Sequence, residues 1–163
     1  QTWAYRPDHP FFQRDDGFTQ QAMYEGLREA YHQWAASEGF RILPSGDAMQ
    51  LARQTPTWQY QPDPDFDFKN PPEDTLPDQS GSLTVGWQWR VQRDGTKSFR
   101  LDAIHANEAG RYLAACVWYL ELFQTDTLPD SFVPKGLTPE QAQDLRRIAT
   151  EAVTAERLRR SQP

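Results

Sequence analysis

The chain has 163 residues and a formal net charge of −6, and its 37% hydrophobic and 13% aromatic content is enough to build one folded domain over residues 1–163. No stretch gathers Lys and Arg densely enough for a phosphate backbone, so nucleic acid is not an expected partner; no apolar run approaches the ~20 residues that cross a bilayer, so neither is a membrane. The single Cys116 excludes an intrachain disulfide.

Met23, Leu27, Ala30, Tyr31 and Trp34 recur at spacings of three and four, which predicts an amphipathic helix from Thr19 to Glu38 closed by Gly39. Phe40 to Leu43 is short, apolar and stopped by Pro44, so it reads as a strand feeding a turn at Ser45-Gly46. Asp47 is then placed to cap a short helix through Arg53, with Ala48, Leu51 and Ala52 inward. Six prolines and interleaved acids mark residues 55–81 as a long surface loop.

Ser82 to Arg90 and Ser98 to Leu101 predict a hairpin turning at Asp94-Gly95, with Trp87 and Trp89 on one face, where a hydrophobic core would explain them. Asn107 caps the next helix, which runs to about Gln124 along an apolar stripe of Leu113, Cys116, Val117, Leu120 and Phe123. This is the helix expected to be most buried, with Cys116 as a small core residue. Thr138-Pro139-Glu140-Gln141 reads as a capping box opening a C-terminal helix over 138–160. Its buried side is Ala142, Leu145, Ile148, Ala149, Ala152 and Val153, and Arg157, Arg159 and Arg160 would answer its dipole. Helix and strand together point to an α/β protein.

The chemistry concentrates in Leu101-Asp102-Ala103-Ile104-His105-Ala106-Asn107, which sets a carboxylate three residues before an imidazole between a strand and a helix. Ester hydrolysis by a serine needs a base for the hydroxyl proton and a carboxylate on the other ring nitrogen. Asp102 and His105 are the candidates, although the same spacing also serves helix capping.

Asp102-Ala103-Ile104-His105, followed by Asn107, Gly110, Tyr112-Leu113-Ala114-Ala115 and Val117, resembles the last sequence block of SGNH (GDSL-type) hydrolases. Gln1-Thr2-Trp3-Ala4, Leu43 to Ala48 and Phe132 to Leu137 narrow the resemblance to a bacterial branch of unsettled function. The resemblance implies part of a three-layer α/β/α fold lacking its N-terminal strands, with Asp102 and His105 catalytic, no metal or organic cofactor, and an ester substrate, acylated saccharides being the class it favours.

The nucleophilic serine of such enzymes lies in a Gly-Asp-Ser or Gly-Asn-Ser turn, and none of Ser37, Ser45, Ser80, Ser82, Ser98, Ser131 or Ser161 has that context. The expected partner is therefore a complementary N-terminal polypeptide carrying the serine, which would also cover helix stripes otherwise left bare. The resemblance puts Gln1 and Thr2 near the oxyanion region. Trp58 and Tyr60, in the proline-rich loop, are expected to be exposed and to line an acyl or sugar pocket.

Gln1 suits either a removed signal peptide or a cut inside a longer protein, with an extracellular or periplasmic location the leaning. Asp63, Asp65 and Asp67 alternate like calcium ligands, but Phe68 stands where the tight turn needs glycine. His9 and His32 lack a second His or Cys at ligand spacing, so no zinc site is expected. The rival readings are a non-catalytic carbohydrate-binding module using the tryptophans and a degenerate structural subunit.

Overall fold

A computed structural model describes residues 1–162. It is a mixed α/β architecture of four α-helices and one two-stranded antiparallel sheet. The helices are α1 (Gln20–Glu38), α2 (Ser45–Arg53), α3 (Glu108–Phe123) and α4 (Pro139–Ser161), and the strands are β1 (Thr84–Val91) and β2 (Lys97–Ala106).

The caps explain where the helices begin. Thr19 Oγ1 accepts from the Ala22 amide at 3.1 Å and Asn107 Oδ1 from the Gly110 amide at 3.0 Å, each satisfying an orphan donor of the first turn. Thr138 and Gln141 form the reciprocal capping box, with Pro139 at the first helical position. Gly39, at φ 72°, ends α1 in the left-handed conformation that glycine adopts without strain. α2 starts earlier than Asp47 alone would have it: Pro44 is the cap residue, Ser45 the first helical one, and Asp47 lies inside the first turn.

The core is a three-helix packing. Leu113, Val117 and Leu120 of α3 meet Leu145, Ile148, Ala149 and Val153 of α4, while Ala48, Met49 and Ala52 of α2 close the third side. Cys116 is buried within it, and that burial pushes its thiol up to about 11. Leu113→Ala will cost about 2–5 kcal/mol, the range for large-to-small changes at fully buried sites. Chemical denaturation, read as a lower midpoint at unchanged slope, measures it.

The C-terminal arginines do more than answer a dipole. The buried carboxylate of Glu121 on α3 receives Arg157 Nε and Arg160 Nη2, each at 3.1 Å, and Arg157 Nη2 donates to the Leu120 carbonyl at 2.7 Å. These contacts tie α4 to the C-terminal end of α3, a neighbouring helix.

Three expectations need correction. Phe40–Leu43 has no regular secondary structure and belongs to no sheet, because no strand lies beside it among the described residues. The helical stripe of α1 is only partly covered: Ala35 is its one buried residue and Trp34 is 61% exposed. Trp87 and Trp89 do not join the helical core. Trp87 stacks on Phe99 at 4.8 Å and 9°, Trp89 leans on the same ring, and Phe66 and Phe68 of the loop pack around the cluster. Residues 55–81 form a loop, as expected, but buried Trp58, Tyr60 and Pro77 pin it to the body.

Candidate active site

Asp102 and His105 lie near the end of β2, where the ladder departs from regularity. Thr84 pairs with Ala106 and Gly86 with Asp102, so β1 advances two residues while β2 advances four. The surplus is taken up by Ala103, Ile104 and His105, which bulge out of the strand. In a regular strand, residues three apart point to opposite faces. The bulge folds them back together.

The result is a close pair. His105 Nδ1 stands 3.0 Å from each carboxylate oxygen of Asp102, and Asp102 Oδ1 also accepts the backbone amides of His105 at 3.0 Å and Ile104 at 3.3 Å. The turn is thus held by the same carboxylate that orients the ring.

The acid is sheltered and the base is open. The Asp102 side chain is 14% exposed and that of His105 is 77% exposed. Partial burial acts to raise the Asp102 carboxyl, but the His105 amide, the imidazole and the Ile104 amide outweigh it and hold the group below the ordinary aspartate range. Its stabilising contribution is therefore full above the unfolded-state pKa and fades as pH falls through the lowered folded value. NMR titration of the Asp102 carboxyl carbon will give a midpoint below that of a peptide aspartate, and His105→Ala will move the midpoint back up.

The bulge rests on buried polar supports. Arg6, almost wholly buried, donates its backbone N–H to the Ala103 carbonyl at 2.9 Å and binds Asp8 through Nε and Nη2, both at 2.8 Å. Its Nη1 reaches Gln79 and Ser82, and its plane lies 3.8 Å over the Tyr60 ring centroid. Gln79 in turn bonds both backbone groups of Trp87, standing in for a strand neighbour. Gly86 has φ 76°, and a Cβ there would collide with the Gln79 and Arg6 side chains.

Two clefts meet at His105. One, of about 470 Å³, is lined by Thr2, Trp3, Tyr5, Ile104, Ala106 and Arg111 as well as the imidazole. The other, of about 270 Å³, is lined by His9, Gln88, Arg90 and Arg100 together with the Asp102–His105 turn. Trp3 Nε1 donates to the Ile104 carbonyl at 2.9 Å, which fixes the N-terminal segment against the bulge.

Of the residues singled out from the sequence, Asp102, His105 and Thr2 come together. Gln1 does not join them: its side chain bonds Asp47 on α2, and its amine donates to the Leu43 carbonyl. Trp58 is 3% exposed, packs in the helical core and donates Nε1–H to Asp144 on α4, while Tyr60 is covered by Arg6. Their expected exposure is overturned because two large aromatics bury more apolar surface than a proline-rich loop can leave in water. Trp3, one of the tryptophans singled out for sugar stacking, also lines the larger cleft, whereas Tyr5, Arg90, Arg100 and Arg111 were not foreseen. They reach the site through chain reversal and strand register, which local patterns do not encode.

His32 has carboxylate neighbours that linear spacing conceals. His32, Asp47 and Glu156 bring ligand-type atoms within 4.8 Å of one another. Their charges are already met: Arg159 binds Glu156 through two nitrogens, and Tyr24, Gln1 and Arg28 converge on Asp47. The cluster ties α1, α2 and α4 together. Asp63 and Asp67 likewise accept backbone amides of their own loop.

The chain is similar to a DUF4886 family protein from Bacteroides uniformis whose crystal structure is known. The two share 25% identity with a TM-score of 0.59 over 94% of this chain, which spans 46% of that chain's length. No protein-family model matches the sequence. No curated protein matches it either.

Proposed function

We propose that this chain is the acid–base half of a serine ester hydrolase of the SGNH type, built as part of a three-layer α/β/α fold. The observation that carries the reading is the Asp102–His105 pair: Nδ1 is held by a sheltered carboxylate at 3.0 Å while the rest of the ring is open to two clefts. Nothing in such a pair is needed to cap α3, because Asn107 already does that. A partly sheltered carboxylate behind an exposed imidazole is an arrangement suited to proton transfer.

In this mechanism Asp102 accepts the Nδ1–H of His105 and leaves the Nε2 lone pair facing outward. Nε2 takes the proton of a serine hydroxyl as its oxygen attacks the ester carbonyl carbon. The imidazolium, stabilised by Asp102, returns that proton to the departing alcohol as the acyl–oxygen bond breaks. Water repeats the cycle and releases the acid, so the electron pairs and the proton balance without a metal or organic cofactor.

The serine comes from a complementary N-terminal polypeptide. Thr2 is the candidate oxyanion donor from this chain, since it shares the larger cleft with His105. The substrate is an ester, with acylated saccharides the class favoured by the family resemblance. The test is p-nitrophenyl acetate turnover by the 163-residue chain alone, by the complementary polypeptide alone, and by the two together. Turnover that needs both supports the reading, and equal turnover by the complementary polypeptide alone sinks it.

A further inference from the structure

The side of α3 turned away from the core is as apolar as the side within it. Leu113, Val117 and Leu120 are buried, yet Trp118 is 52% exposed and Leu122 is 59% exposed, and Ala114, Trp118 and Leu122 form a second stripe at four-residue spacing. A helix that is apolar all round belongs between two layers. Only one layer is present among the described residues.

Beside that stripe runs a stretch of backbone with its hydrogen bonds unmade. Among the described residues, no hydrogen bond reaches the amides of Arg41, Ile42 and Leu43 or the carbonyls of Phe40, Arg41 and Ile42. Alternate residues of an extended strand present their N–H and C=O to the same edge. The Leu43 carbonyl accepts the Gln1 amine at 3.0 Å, so a strand formed over 40–43 would turn Arg41 to the edge that faces Gln1. Along that edge lies an apolar cavity of about 390 Å³, lined by Gln1, Tyr31, Trp34, Phe40, Ala114 and Trp118. Open backbone on one wall and aromatic side chains from two helices on the others form a receptor for a strand.

We infer that this cavity between α1 and α3 is the seat of a β-strand from the complementary polypeptide, which pairs with Phe40–Leu43 and buries Trp34 and Trp118. The DUF4886 neighbour supports that occupant, because more than half of its chain lies beyond the region matched here. Trp3 lines both this cavity and the larger cleft at His105, so a strand seated here ends beside the imidazole. The inference rests on the proposed function only for the identity of the partner.

Hydrogen exchange separates the two ideas. The chain is compared alone and in complex with the polypeptide encoded immediately before Gln1. Exchange at Arg41 and Leu43 is expected to slow on assembly by at least about tenfold, as ladder formation protects amides. Arg41→Pro removes an N–H that has no partner in the isolated chain, so its thermal midpoint should hold while complex formation weakens on the order of tenfold or more, and Arg41→Ala should assemble normally. Trp34→Glu, at an exposed position, should weaken assembly in the same way.

Unchanged exchange at 40–43 in the complex, or normal assembly by both variants, overturns the inference. So does protection of 40–43 in a self-associated chain, which would assign the seat to a second copy. Protection without ester turnover would sink the proposed function and leave the docking seat standing. Turnover without protection would do the reverse.

Discussion

His105→Ala will lower ester turnover by the assembled hydrolase by roughly 10⁵-fold or more, and Asp102→Asn by about 10⁴-fold, as for the corresponding members of other serine triads. The asymmetry has a structural reason. Removing the imidazole removes the proton carrier that Asp102 orients, whereas Asp102→Asn keeps a side chain of the same shape but replaces one acceptor oxygen with a donor. The amide cannot accept from Nδ1–H through both atoms, so the ring loses its fixed tautomer and the imidazolium its counter-charge.

Because His105 is 77% exposed, its loss leaves no cavity, and the thermal midpoint should stay near that of the parent. The measurement is kcat/KM on p-nitrophenyl acetate beside a melting curve. A His105→Ala protein that melts normally and retains parental turnover would assign Asp102 and His105 to holding the bulge alone. The two variants should also be non-additive: Asp102→Asn on top of His105→Ala should cost almost nothing more, because each acts through the other.

Much of this arrangement could be read from the sequence where the cause is local. The caps at Asn107 and Thr138 announced two helices, since each depends only on a side chain reaching an amide three residues on, and apolar periodicity announced α1. The buried stripe of α3 follows from helical periodicity as far as Leu120, whereas Phe123, expected to extend it, is 70% exposed because the core ends before the last turn. What stayed hidden was set at long range. The strand expected at Phe40–Leu43 has the right residues but no neighbour, and a strand exists only by pairing. Trp58 looked exposed because its own loop is polar, whereas its partner Asp144 lies 86 residues away. Arg111 and Thr2 meet at one cleft because Trp3 binds the Ile104 carbonyl, a contact across 101 residues.

Arg6→Met will destabilise the chain by about 1–3 kcal/mol, the cost of leaving charge-assisted hydrogen bonds unmade around a partly buried partner. Methionine fills much of the space but supplies no donors. It leaves Asp8 without its bidentate cation, Ser82 and Gln79 without a bond each, and the Tyr60 face without its guanidinium. Arg6→Lys should recover only part of the loss, because an ammonium cannot form the two-nitrogen contact with Asp8 and reach Gln79 together.

The effect should also travel to the site, which distinguishes Arg6 from an ordinary core residue. The Arg6–Gln79–Trp87 chain of hydrogen bonds supports β1 opposite the bulge, and the Arg6 amide holds Ala103 inside it. Loosening that support should let the Asp102–His105 separation widen. In the variant, the Asp102 carboxyl should titrate closer to an ordinary aspartate, since the amide and imidazole contacts that lower it depend on the bulge. Leu113→Ala is the control, destabilising by at least as much from within the helical core while leaving the Asp102 titration unchanged. Equal titration shifts in both variants would mean that the bulge responds to global stability, not to Arg6.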